Sequence, residues 1–215
     1  MLINAYATRL YQVKPSTRMG FTGSDDEQRI KVLFEDFKKA ENGRLFKEPL
    51  EKLRKIVKPY SDDMPKINMG YRYTSCYRAK KVRDEGFKLP FIINNCENLD
   101  AGNAIHLFPN KNVWWHNNIL LKIKINTDKI AYIAFNEWEK FGENLYEPIF
   151  KYTENKQITF DEERALKNEL KKELFIDMGY DALYLTGMTA QKNQPQIAVF
   201  NPEKLELLEI KKTGI

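Results

Sequence analysis

The sequence predicts an α+β fold, in which short strands are separated by irregular loops and few helices stand among them. Three observations support this prediction. Hydrophobic residues make up 42% of the 215 residues and aromatic residues 13%, which is enough for a buried core. The stretch 118–125 (NILLKIKI) alternates apolar and polar side chains, as a half-buried strand does. The strand candidates are not each followed by a helical segment, so a doubly wound parallel sheet is not expected.

The charge and the cysteine content limit the classes of protein to which this chain could belong. Lys and Arg number 35 against 30 Asp and Glu, a formal charge of +5 without any block of five like charges. This balance permits an acidic partner such as nucleic acid or a dinucleotide but does not require one. Cys76 and Cys96 are too few for a disulfide framework or a zinc site, and we expect free thiols in a reducing compartment. Without a secretory apolar segment or a membrane-length apolar run, a cytoplasmic protein is expected.

Residues 1–66 predict an N-terminal strand followed by a helical hairpin. The strand covers 5–13 and stops before Pro15. Ser24 caps the first helix, which has acidic residues in its first turn and ends at Asn42-Gly43. A second helix over 47–57 ends before Pro59. No residue in this part points to a particular chemistry.

Residues 67–215 are predicted to form the domain that contains the functional site. A strand ends at Ser75, which caps a helix over Cys76–Glu85, and Gly86 is the natural residue to follow that helix. Asp161 is predicted to cap a later amphipathic helix that ends at Gly179. Charged residues within that helix (DEERALKNELKKE) predict a solvated face. Further strands are predicted at 91–93, 104–108, 118–125, 129–135, 181–187, 197–202 and 205–211, with a short helix at 112–118.

Three separated stretches occur in an order that carries a family resemblance. The first is Tyr71-Arg72-Tyr73-Thr74-Ser75, followed by AKKVRDEGF. The second is GNAIHLFP over 102–109, and the third runs from GYDALYL to QPQIAVFNPEKLELL within 178–208. Together they resemble the three signature strands of the ADP-ribosyltransferase family. The resemblance covers the chain from Tyr71 onward and leaves the first 66 residues outside it.

The resemblance implies a split β-sheet that binds NAD+ as co-substrate, with no metal. Arg72 falls where the family has His or Arg, and His106 falls where many members have a tyrosine that stacks on nicotinamide. The family usually has a glycine at the position of Tyr73, because glycine lets ligand and backbone approach closely. Tyr73 departs from that pattern. The residues expected to bind NAD+ are Tyr71, Arg72, Tyr73, Thr74, Ser75, His106 and Phe108.

The third stretch departs from the family at its most important position. By resemblance, Gln194-Pro195-Gln196 matches a "glutamine, any residue, glutamate" motif, in which the glutamate is catalytic and the first glutamine recognises the acceptor. Gln196 can bind a ribose hydroxyl but lacks the negative charge that stabilises an oxocarbenium-like transition state. Two interpretations stay open. Either Gln196 replaces a natural glutamate, or it is native and the chain is a weak enzyme, a pseudoenzyme or one that uses Glu203 or Asp181.

The function that the resemblance implies is mono-ADP-ribosylation of a macromolecule, with Gln196, Arg72 and His106 as the catalytic set. The positive charge favours nucleic acid over protein as acceptor. Small transferases of this kind include bacterial toxins and phage effectors, so an inhibitor or antitoxin protein is a further expected partner. Two alternatives remain: a non-catalytic module that binds a dinucleotide, RNA or protein, and an RNA 2′-phosphotransferase, which shares the fold. Phosphate-loop, dinucleotide-fingerprint, zinc-protease and serine-nucleophile motifs are absent.

Overall fold

The computed structural model describes residues 23–89, 102–111, 119–187 and 195–213. The predicted elements at 5–13, 91–93 and 112–118 lie outside these ranges, as do Gln194 and Cys96. The fold is mixed α+β as predicted, and 49% of the described residues are helical and 25% lie in strands. The helical share is therefore larger than the sequence indicated.

The described residues form six α-helices and seven β-strands. The helices are α1 (Gly23–Lys39), α2 (Arg44–Ile56), α3 (Cys76–Glu85), α4 (Phe135–Asn144), α5 (Tyr146–Thr153) and α6 (Phe160–Asp177). The strands are β1 (Met69–Thr74), β2 (Ile105–Leu107), β3 (Ile119–Ile125), β4 (Ile130–Ala134), β5 (Ala182–Thr186), β6 (Gln196–Val199) and β7 (Leu205–Lys212). None of these helices is both long and apolar enough to cross a membrane.

The strands form two sheets that share an edge region. The three-stranded sheet has the order β1-β3-β7, and every neighbouring pair in it is antiparallel. The four-stranded sheet has the order β2-β6-β5-β4, in which only β4 and β5 run parallel. An antiparallel bridge between Tyr71 of β1 and Phe108, just after β2, connects the two sheets.

Both faces of the four-stranded sheet are buried. Alternate side chains of β6 show this, because Ala198 packs among the helices whereas Ile197 and Val199 pack toward the three-stranded sheet. The helix side contains Phe34 and Phe37 of α1 together with side chains of α2, α4, α5 and α6. The predicted helical hairpin thus packs into the same core as the sheet that carries the second and third motifs.

The turn between α1 and α2 follows the predicted stop signal. Glu41, Asn42 and Gly43 have φ values of 50°, 58° and 81°, which take the chain through left-handed conformations in a 3-10 turn. Asn and Gly tolerate this region better than other residues, so Asn42-Gly43 ends the first helix here. The second helix begins at Arg44, three residues before the predicted start.

Two predictions on the later helices are wrong. Thr159, not Asp161, caps α6, because Thr159 and Glu162 form a reciprocal capping box with hydrogen bonds of 3.2 and 2.7 Å. Helices α4 and α5 were also not predicted. Their signal was a set of apolar residues three or four apart, which the structure buries: Trp138, Phe141, Leu145, Ile149 and Tyr152.

Replacing Gly70 by alanine is expected to destabilise the junction of the two sheets. A Cβ at Gly70 would lie 2.8–2.9 Å from side-chain atoms of Leu107, closer than packed carbons approach. We expect a loss of about 1–3 kcal/mol in the free energy of unfolding, measured by urea denaturation. Gly142→Ala in α4 is the matched control, because its Cβ meets nothing within 4 Å and should stabilise the helix by about 0.5–1 kcal/mol. Equal stability of the two variants would contradict close packing at Gly70.

Candidate functional site

The three motif strands are neighbours in space although they are far apart in sequence. The Tyr71 N–H donates to the Phe108 carbonyl at 2.8 Å, and the Phe108 N–H donates to the Tyr71 carbonyl at 2.9 Å. β2 then pairs with β6, with His106 opposite Ala198. The path from β1 through β2 to β6 therefore brings the three stretches of the resemblance side by side.

His106 and Gln196, two of the functional candidates, are joined by a contact between their side chains. Gln196 Nε2 lies 3.0 Å from His106 Nδ1, and His106 Nε2 lies 3.4 Å from the Gly102 carbonyl oxygen. If the amide donates to Nδ1, the ring proton resides on Nε2 and points to that carbonyl. This arrangement suits a neutral imidazole. Strand alternation places both side chains on the helix-facing side of the four-stranded sheet, the side of Ala198.

The other end of the Gln196 amide is a buried acceptor. Its Oε1 atom is inaccessible to solvent and has no hydrogen-bond partner among the described residues. Buried carbonyl oxygens are nearly always hydrogen-bonded, so an unmatched one marks a place where a donor fits. A hydroxyl group of a ligand is such a donor.

Arg72 lies on a different face from His106. It stands opposite Leu121 of β3, whose side chain belongs to the core between the two sheets. No carboxylate of the described residues lies within 4.0 Å of it. Burial lowers the pKa of the Arg72 guanidinium, and the positive charge of Arg78 lowers it further. Arg72 is thus a half-buried cation without an acidic partner in the described part of the chain.

The remaining candidates of the first two motifs occupy several different environments. Tyr71 and Tyr73 project from the outer face of the three-stranded sheet, where the Tyr73 hydroxyl donates to the Lys111 carbonyl at 2.6 Å. Thr74 is buried, and Ser75 caps α3 by accepting a hydrogen bond from the Arg78 N–H, as predicted. Phe108 is only 5% exposed. Its ring therefore offers little surface for stacking on a ligand.

The loop before β2 attaches the His106 region to α6. The Asn103 N–H donates to the Asn168 carbonyl at 3.1 Å, and Asn103 Nδ2 donates to Glu169 at 3.1 Å. Gly102 has φ +81° and lies so close that a Cβ there would be 2.6 Å from Lys171 Cβ. Only glycine fits this conformation and this approach. The carbonyl that faces His106 is therefore positioned by α6.

The prediction of a solvated face on α6 is wrong over its middle turns. Lys167 and Lys171 are each 6% exposed and Asn168 is 3% exposed. The Lys167 ammonium lies 3.1 Å from the centroid of the Tyr146 ring, and Asn168 Nδ2 has no partner among the described residues. The sequence misled because α4 and α5, which cover this face, were not predicted.

Lys167 has an altered proton affinity. Burial lowers its pKa from 10.5 to about 7, and the neighbouring Lys171 contributes in the same direction. Glu163 and Glu143 act in the opposite direction but do not compensate. Near neutral pH this amine is close to half protonated, a state that sequence reasoning did not foresee because it depends on tertiary burial.

The alternative acids named from the sequence lie away from Gln196. Asp181 stands just before β5 and accepts hydrogen bonds from Thr127 and Asn201 at 2.7 and 3.2 Å, which is a structural role at the amino end of that strand. Glu203 lies beyond the opposite end of β6 from Gln196. Glu137 lies three residues after β4, at the same edge of the four-stranded sheet as Gln196. Its buried Oε2 has no partner among the described residues.

Comparison with protein-family models, with curated protein sequences and with solved structures gave no match.

Neutralising Lys167 should change how stability depends on pH. An unfolded lysine keeps its proton up to about pH 10.4, whereas the folded one loses it near 7, so the unfolded state binds more protons between these values. The free energy of unfolding should therefore rise from pH 7 to 10, by at most about 1.4 kcal/mol per pH unit. Urea titrations at pH 7, 8 and 9 should show a steeper rise for the natural chain than for Lys167→Met. Parallel pH profiles would contradict the lowered pKa.

Proposed function

We propose that this chain binds NAD+ and acts as a mono-ADP-ribosyltransferase on a macromolecule, with activity limited by the glutamine at position 196. The observation that supports the proposal is the adjacency of β1, β2 and β6. The Tyr71–Phe108 bridge and the β2–β6 pairing join strands whose sequences independently resemble the three family motifs.

The reaction needs little covalent chemistry from the protein. The bond between the anomeric ribose carbon and the nicotinamide nitrogen breaks, and its electron pair leaves with nicotinamide. The acceptor nucleophile forms a new bond to that carbon and loses a proton. Positive charge develops on the ribose in between, so a fixed negative charge beside it lowers the barrier.

The His106–Gln196 pair fits the binding part of this reaction better than the catalytic part. The unmatched Gln196 Oε1 can accept a hydrogen bond from a ribose hydroxyl, while Nε2 remains held by His106. The amide carries no charge. A carboxylate at 196 would supply the charge and would pair with a protonated His106, whose Nε2–H faces the Gly102 carbonyl.

One observation favours a non-catalytic dinucleotide-binding module as the second candidate. Gln196 Nε2 and His106 Nδ1 satisfy each other's hydrogen-bonding capacity without any charge, as the two groups of a native structural contact would. In that case the chain binds NAD+ or a related dinucleotide without breaking it. If both the natural chain and Gln196→Glu bind NAD+ without turning it over, the chain is this binding module and not a transferase.

Gln196→Glu should raise nicotinamide release by about 10²-fold or more over the natural chain, since it restores the missing charge. Release is measured from NAD+ labelled in the nicotinamide ring, with separate pools of protein, RNA and DNA as acceptors. NAD+ affinity, measured by calorimetry, should change much less, because the amide and the carboxylate both accept from a hydroxyl.

Two controls make this result specific. Gln157→Glu adds the same charge at an exposed position far from β6 and should leave turnover unchanged. His106→Ala added to Gln196→Glu should remove most of the gain, because the new carboxylate loses its partner. If Gln196→Glu binds NAD+ but labels nothing and releases no nicotinamide, the binding module is the correct function. Transfer seen only with 2′-phosphorylated RNA would identify a phosphotransferase.

A further inference from the structure

The helix that follows the first motif strand carries positive charge that is not held in close ion pairs, although, besides the hydrogen bond from Lys88, the charge of Lys81 acts at longer range to lower the pKa of Glu85. α3 (CYRAKKVRDE) contains four basic residues, and its two acidic residues stand at its C-terminal end. Arg83 pairs with Asp84 at 2.9 Å, and Glu85 pairs with Lys88 at 2.9 Å. Three basic residues of α3 have no carboxylate within 4.0 Å among the residues that the structure describes: Arg78, Lys80 and Lys81.

The order of charges along α3 opposes the helix dipole. Acidic residues stabilise the first turn of a helix and basic residues the last, and α6 follows this rule with Asp161, Glu162 and Glu163 in its first turn. α3 has no acidic residue in its first turn, and its unpaired cations lie in its first two turns. This arrangement does not stabilise the helix. A contribution to helix stability therefore does not account for the position of these cations.

An exposed aromatic ring stands among these cations. Tyr77 is 67% exposed, and Lys81 Nζ lies 5.4 Å from the centroid of its ring. Ala79 and Val82 face the core, which leaves Tyr77, Lys80 and Lys81 on the solvent side of α3 and Arg78 at its flank. We call Tyr77, Arg78, Lys80 and Lys81 the α3 cationic surface.

The α3 cationic surface adjoins the first motif strand. Ser75 ends β1 and caps α3, so the surface begins where the motif ends. Arg78 is close enough to Arg72 for its charge to lower the pKa of that half-buried guanidinium. Two like charges thus stand together, and a polyanion that bridges them would remove their repulsion.

We infer that the α3 cationic surface binds single-stranded nucleic acid and presents it to the motif strands as the acceptor. Phosphates suit the three unpaired cations, and an unstacked base suits the exposed tyrosine ring, a combination typical of single-strand binding. An acidic protein would also satisfy the cations, and polyglutamate therefore serves as its stand-in in the test below. This inference rests on the proposed function for the role of acceptor only, because the binding itself requires no NAD+.

Fluorescence anisotropy with labelled 20-nucleotide RNA and DNA of mixed sequence tests the binding in the absence of NAD+. Replacing Arg78, Lys80 and Lys81 by alanine should weaken binding at least tenfold at low salt and reduce the slope of log K against log salt by about 2, since three phosphate contacts are lost. Tyr77→Ala should weaken binding by about tenfold, whereas Tyr77→Phe, which keeps the ring, should bind like the natural chain. A duplex of equal length should bind more weakly than the single strand.

The matched control removes the same charge from the opposite layer of the fold. Lys47, Lys52 and Lys55 are exposed on α2, which packs against α4, α5 and α6, whereas α3 packs against β3 and β7. Their replacement by alanine should change affinity less than twofold. Equal loss in the two triple variants, no binding of either oligonucleotide, or equally tight binding of polyglutamate would overturn the inference. Since these measurements contain no NAD+, their failure leaves the proposed transferase chemistry to be judged by nicotinamide release alone.

Discussion

The contact between the two sheets is the constraint on which the arrangement of the site depends. Besides the buried apolar cluster between the sheets, it includes two backbone hydrogen bonds between Tyr71 and Phe108 and the packing of Leu107 against Gly70. Glycine is required because any Cβ would enter the space of the leucine side chain. The junction fixes β1 against β2, and the β2–β6 pairing carries that fixed position on to Gln196. Without it, the motif strands would belong to two independent sheets.

The same junction separates the candidate residues into two groups. Side chains alternate along a strand, so His106 faces the helices while Ile105 and Leu107 face the three-stranded sheet. Arg72 faces the space between the sheets. A ligand that contacts both His106 and Arg72 must therefore pass the end of β2 rather than lie on one face.

Within the described residues, the sequence predicted most strands and α3 because their signals are local. Alternation in 118–125 and the Ser75 cap with Gly86 depend on neighbouring residues, and both features appear in the structure as expected. The buried lysines of α6 could not be predicted in this way. Their burial depends on α4 and α5, which contact the helix from elsewhere in the chain, and a charged residue gives no sequence signal that an aromatic ring will cover it. The His106–Gln196 contact, which joins residues 90 positions apart, likewise needed the β2–β6 register.

A shortage of negative charge connects the separate observations. Gln196 is neutral where the resemblance leads to a carboxylate, and Arg72 has no acidic partner in the described part of the chain. Lys167 is buried with a pKa of about 7 beside Lys171. The unpaired cations of α3 extend the same imbalance to the surface. Arg72, Arg78 and Lys80 have no close carboxylate among the described residues, although the chain contains 30 acidic residues. The proposed ligands would supply the neutralising charge at β1 and α3, since NAD+ and the nucleic acid inferred as its acceptor both carry phosphates.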